Sequence, residues 1–150
     1  MANAASVTIS ATVLPDNISK TLAGTQTCTP ADASEKWYYK FTNVTASSTD
    51  LIAGYFLDYA GVDDDSAPVA VATGDHVRYL FVKNTDSTND LYIKVDGDAA
   101  STSAAGSIKV PAGESVSLRP TNSTVADIHC ISSSGTIDCI VAALLHDISV

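Results

Sequence analysis

Short runs in which apolar and polar residues alternate, each cut off by a turn-forming cluster, recur along this chain and limit what it can fold into. The stretch SIKVPAGESVSLRP (107–120) is the clearest example. Ile108 and Val110 alternate with Ser107 and Lys109, and Val116 and Leu118 alternate with Ser115, Ser117 and Arg119. A period of two sends successive side chains to opposite faces, so each run reads as a half-buried β-strand. Between the runs, Pro111 lacks the N–H that a ladder needs and Gly113 accepts positive φ, so the ladder stops and the chain turns.

The same grammar appears elsewhere. Val7, Ile9, Ala11 and Val13 alternate with Ser and Thr up to Pro15-Asp16-Asn17, and residues 19–34 read as a weaker strand followed by a loop. In EKWYYKFTNV (35–44) the alternation places Trp37, Tyr39 and Phe41 on one face, expected to be the inner one, and Lys36, Tyr38, Lys40 and Thr42 on the other. HVRYLFVKN (76–84) puts Val77, Tyr79 and Phe81 together, and LYIKVDG (91–97) does so with Leu91, Ile93 and Val95. LIAGYFLDYAG (51–61) is apolar on both parities, which predicts a strand covered on both faces. Counted together, these are about eight to ten short strands with turn signals roughly every 8 to 12 residues. The predicted fold is all-β, a jelly-roll-like antiparallel β-sandwich rather than a seven-stranded immunoglobulin one.

Composition agrees. Only Glu35 and Glu114 are glutamates, too few for a helical protein of this size, whereas the abundant Ser, Thr and Val suit a pleated surface. With 150 residues the chain fits one domain, 1–150, able to bury roughly 70% of its unfolded surface. Residues 1–30, weak in core signal and rich in Thr, are set apart as a candidate extended N-terminal arm reaching onto a neighbouring subunit. The formal net charge is -9, and the lysines and arginines are scattered, which argues against a nucleic-acid partner. The longest apolar run, CIVAALL (139–145), is too short to span a bilayer, and MANAASVTIS lacks a basic n-region, so the expectation is no membrane partner and synthesis in the cytoplasm.

Candidate chemistry is thin. No G-x-S-x-G elbow, phosphate-cradling glycine loop or Cys-x-x-Cys pair occurs, so no catalytic residue, cofactor or metal ligand is assigned and the chain is expected not to be an enzyme. If the last two strands form a hairpin about Ser134-Gly135, Cys130 sits directly opposite Cys139. Two readings stay open there: buried thiols behaving as small apolar groups, or a cross-strand disulfide formed in an oxidising medium. On the final strand Cys139, Val141, Ala143 and Leu145 face the core, leaving Ile140 and Leu144 on a second apolar face that either another segment of the same chain or a neighbouring subunit must cover, a candidate interface. Asp63, Asp64 and Asp65 form an acidic run that does not match the twelve-residue calcium loop and reads first as a solvated loop, with an ion site or a contact for a basic partner as the alternatives. Tyr38, Tyr55, Tyr59, Tyr79 and Tyr92 with Trp37 leave glycan stacking open as an alternative.

The order NTDSTNDLYIKVDG (84–97), an Ala/Ser/Thr/Gly loop, SIKVPAGESVSLRP and VADIHCISSSGTIDCIVAAL (125–144) resembles small structural proteins of tailed-bacteriophage virions, the capsid cement or decoration proteins. The resemblance covers about residues 82–145. It implies a jelly roll or similar sandwich without enzymatic activity, a dimer or trimer bound to the major capsid protein at the outer capsid surface, where it stabilises contacts between shell subunits. A tail or fibre accessory protein and a carbohydrate-binding module are the alternatives. The family binds through surfaces, so no binding residue transfers.

Overall fold

The computed structural model describes residues 4–13, 20–56 and 69–149. The chain divides into two compact units, Met1–Ala31 and Asp32–Val150, a boundary one residue beyond the segment set apart in the sequence. The first unit is a two-stranded antiparallel ribbon of β1 (Ala5–Val13) and β2 (Lys20–Cys28), paired from Ala5 opposite Cys28 to Val13 opposite Lys20. Directly opposite residues share a face. One face therefore collects Val7, Ile9, Ala11 and Leu22, and the other is Ser6, Thr8, Ser10 and Thr12 against Thr27, Thr25, Ala23 and Thr21.

The second unit holds eight strands: β3 (Glu35–Val44), β4 (Thr49–Asp50), β5 (His76–Asn84), β6 (Leu91–Lys94), β7 (Ile108–Val110), β8 (Ser115–Leu118), β9 (His129–Ser132) and β10 (Ile137–His146). They form two four-stranded antiparallel sheets, ordered β3-β10-β5-β8 and β4-β9-β6-β7. Among the described strands of this unit, β6 and β7 alone are both consecutive in sequence and hydrogen-bonded neighbours; the other links pass from sheet to sheet. Two sheets of four strands in this order are the jelly roll, with its two Greek keys. The opening motif is one of its corners: Val110 ends in the second sheet, Gly113 takes φ 76°, Glu114 N–H donates to Pro111 O at 3.0 Å, and β8 begins in the first sheet.

The core fills the space between the sheets. Tyr38, Leu80, Val82, Val141, Ala143 and Leu145 from the first sheet meet Leu91, Ile93, Val110 and Cys130 from the second, closed by Leu51, Ile52 and Ile128. Among the described residues, buried polar side chains mostly find partners within the fold; Thr42 Oγ1 is buried without one. The Tyr38 hydroxyl donates to Ala53 O at 3.1 Å and accepts from Ala53 N–H at 3.3 Å. Asn84 donates to Asn89 O and Val110 O and accepts from Asp86 N–H, tying loop 85–90 to the sandwich.

Four expectations need correction. The inner face of β3 belongs to Tyr38, which is fully buried, while Trp37, Tyr39 and Phe41 point outward and Phe41 is 55% exposed. On β5 a register shift between Leu144 and Leu145 leaves Arg78 as an extra residue, so Val77 faces in while Tyr79 and Phe81 face out. Residues 51–56 are bends and one bridge, Tyr55 to Ala70, instead of a strand; the rest of LIAGYFLDYAG lies outside the described residues. The segment VADIHCIS to IDCIVAAL is no hairpin, because β9 pairs with β4 and β6 while β10 pairs with β3 and β5. Cys130 and Cys139 thus stand on different sheets, and both are free thiols.

Candidate functional site

Ile140 and Leu144 lie on the outward face of β10, at the centre of the first sheet, and register places their neighbours in rows across three or four strands. The first row is Glu35, His146 and His76; the second Trp37, Leu144 and Tyr79. Then come Tyr39, Ala142, Phe81 and Ser117, and after them Phe41, Ile140, Lys83 and Ser115. Asn43 and Asp138, hydrogen-bonded to each other, close the far end. The outer surface of this sheet therefore runs from a histidine end through an aromatic and aliphatic centre to a mixed Lys83/Asp138 end. Sheets one side of which faces water normally carry polar residues there, so an apolar centre on the outer side departs from the pattern.

Packing within the face is specific. The Trp37 ring meets Tyr79 edge-on, with centroids 6.1 Å apart and planes at 79°, and Leu144 between them in register is only 3% exposed. The Tyr79 hydroxyl accepts a hydrogen bond from Ser117 Oγ at 3.1 Å. Ile140, half-buried between Phe41 and Lys83, is more accessible than Leu144, so Ile140 rather than Leu144 offers area to a partner.

At the histidine end, Ser34 Oγ lies 3.1 Å from His146 Nδ1 and donates to the Asp32 carboxylate. Ser34 has a single hydroxyl proton, so with that proton on Asp32 the 3.1 Å contact is made by His146 Nδ1–H donating to Ser34. The trio ties Asp32, Ser34 and His146 together at this end of the sheet. Its bonds hold Asp32 below the usual carboxylate range, the Ser34 side chain first among the causes. Beneath it, Lys36 Nζ bonds the buried Asp147 carboxylate at 2.7 Å, which with two bonds from Ser149 holds Asp147 down at about 2. Asp75, also buried, accepts Ala72 N–H at 2.8 Å and Ile148 N–H at 3.0 Å and so clamps the end of the chain to loop 71–75. These groups are occupied in holding the fold.

The remaining sequence-predicted residues scatter. Cys130 and Cys139 are buried in the core, and burial pushes their thiols up to about 11 and about 12. Asp63, Asp64 and Asp65 lie outside the described residues, as does Tyr59. Tyr38 is in the core, Tyr55 on a loop and Tyr92 on the outer side of the second sheet, so no tyrosine platform forms among the described residues. Sequence reasoning missed Phe41, Tyr39 and Trp37 as surface residues; the signal was their parity, which Tyr38 with its interior partners reverses. Among the described residues no three His, Cys, Asp or Glu side chains are grouped to hold a metal ion, and no helix is long and apolar enough to cross a membrane. Set against known proteins, the chain matches no family model, no curated protein and no solved structure.

Proposed function

We propose that the protein is a non-enzymatic virion structural protein that binds the outside of a bacteriophage capsid, through the outward face of the β3-β10-β5-β8 sheet, and stabilises contacts between major capsid protein subunits. The observation that carries this reading is the half-exposed apolar centre of that face, Phe41 and Ile140 flanked by Tyr39, Phe81 and Ala142. Support also comes from the jelly-roll order, a scaffold used for capsid and lectin domains, and from the resemblance carried by residues 82–145. Mechanically, a rigid sandwich with an apolar face bridges shell subunits and adds buried area across junctions that packaged DNA pulls apart. The chain's acidic charge opposes loose association and leaves docking to shape and apolar contact.

The glycan-binding alternative would need flat, coplanar rings, whereas Trp37 and Tyr79 are edge-on. The test is co-sedimentation of the full chain with purified shells of the major capsid protein. Saturation at one defined ratio is expected; no binding to shells, or saturable binding on a glycan array that is lost on changing Trp37 or Tyr39, overturns the proposal.

A further inference from the structure

One face of the β1-β2 ribbon is mainly apolar, with Gln26 and Lys20 toward its ends, the other is mainly Ser and Thr, and the large apolar side chains are open: Leu22 is 64% exposed and Ile9 47%. A two-stranded ribbon is marginal in water by itself and gains stability when its apolar face is covered. Three features of the ribbon say by what. First, large and small residues are paired across it. Ile9 stands opposite Gly24, where a Cβ would meet nothing within 4 Å, and Leu22 stands opposite Ala11. Second, these four residues, with Ala23, Thr25 and Gln26, line a shallow concavity, so large and small side chains lie side by side there. Third, residues 1–31 contain one acidic and one basic residue, Asp16 and Lys20, so the whole formal charge of -9 falls on residues 32–150. Two copies repel through their sandwiches and not through their ribbons.

We infer that the β1-β2 ribbon is a self-association element that stacks face to face on the ribbon of a second copy. A two-fold axis along the ribbon, between its strands, lays each β1 over the other copy's β2. Because Ile9 and Gly24 are directly opposite, that operation drops each Ile9 onto the other copy's Gly24, and each Leu22 onto the other's Ala11. On this face Cys28 is buried and Val7 and Gln26 are half-buried, so the stack is limited to the five pairs from Ile9 opposite Gly24 to Val13 opposite Lys20, about 17 Å by roughly 10 Å, and covers about 170 Å² per copy, far under the ~800 Å² per partner of a standard interface. The expected product is a weak, concentration-dependent dimer, strengthened when both copies are held on one larger surface.

The inference does not depend on shell docking, because its test uses the full chain alone. Sedimentation equilibrium over a concentration series should show monomer and dimer in exchange. Leu22→Asp should raise the dissociation constant at least tenfold. Gly24→Val should do the same by filling the hole, although a β-branched residue there favours the strand, so its loss cannot be ascribed to a melted ribbon. Thr8→Asp, on the Ser/Thr face and outside the concavity, should leave dimerisation unchanged, and all three variants should keep the melting temperature of the sandwich. A chain that is monomeric throughout, or a dimer that persists in both Leu22→Asp and Gly24→Val, overturns the inference.

Discussion

The two outer faces of the sandwich are built on sheets of equal strand number and carry opposite chemistry. On the second sheet the outward positions are Asp50, His129 and Lys94 in one row and Ile131, Tyr92 and Lys109 in the next. His129 Nδ1 lies 3.2 Å from Asp50, Lys94 bonds Asp96 at 2.9 Å, and Lys109 bonds Asp90 at 2.7 Å. Its charges are paired with one another, as on a face that meets water. The first sheet instead presents Phe41, Ile140, Phe81 and Tyr39, with Lys83 beside Ile140 and the remaining charges toward its two ends. Both faces alternate with the same core, so packing does not require the difference. It is accounted for if the first face meets a partner and the second does not.

The largest expected effect separates inner from outer positions. Leu80→Ala, in the fully buried core, should cost about 2–5 kcal/mol of stability, whereas Phe41→Ala should stay within about 0.5 kcal/mol, both read by urea unfolding. A large loss at Phe41 would mean that the outer face belongs to the fold's own core. Next, Ile140→Asp should weaken shell binding by about 1.5–3 kcal/mol, some tenfold to hundredfold, while Tyr92→Asp on the other face should leave it unchanged. Equal losses at both positions would erase the distinction.

A smaller effect concerns the histidine end. Asp147 is held at about 2, below its ordinary 3.8, so its bond to Lys36 stabilises the fold above about pH 4 and the contribution is lost as pH falls toward 2. Acid titration of stability should therefore show up to about 2 kcal/mol lost in that window, and Asp147→Asn should flatten it. Smallest in energy is thiol labelling at pH 8: Cys130 and Cys139, raised to about 11 and about 12, should react only when the sandwich unfolds. Rapid native labelling would mean that the two sheets do not close over them.

Strand existence was legible because period-two alternation is local: β3, β5, β6, β7, β8 and β10 fall where the runs are. Facing was less so. On β3 the three aromatic residues outweigh Tyr38 on any hydrophobicity count, but the inner parity is tolerable for Lys36 and Lys40 because they sit where the ammonium groups find partners, Asp147 and Ala53 O respectively. Arg78 inverted the reading of β5, since one extra residue moves every later side chain to the other face. Pairing was the least accessible. A short Ser-Ser-Gly turn suggests a hairpin, yet in a jelly roll it is a corner, and which one it makes depends on strands far away in the sequence. For the candidate interface, Ile140 and Leu144 were visible from β10 alone; their aromatic neighbours required the register with β3 and β5.

The central claim, that the apolar outer face is the one that docks, is tested most directly by hydroxyl-radical footprinting of the full chain, free and bound to purified shells. Phe41, Tyr39 and Ile140 should lose reactivity on binding while Tyr92 and Ile131 keep theirs. Protection of Tyr92 and Ile131 with Phe41 still reactive would contradict the account.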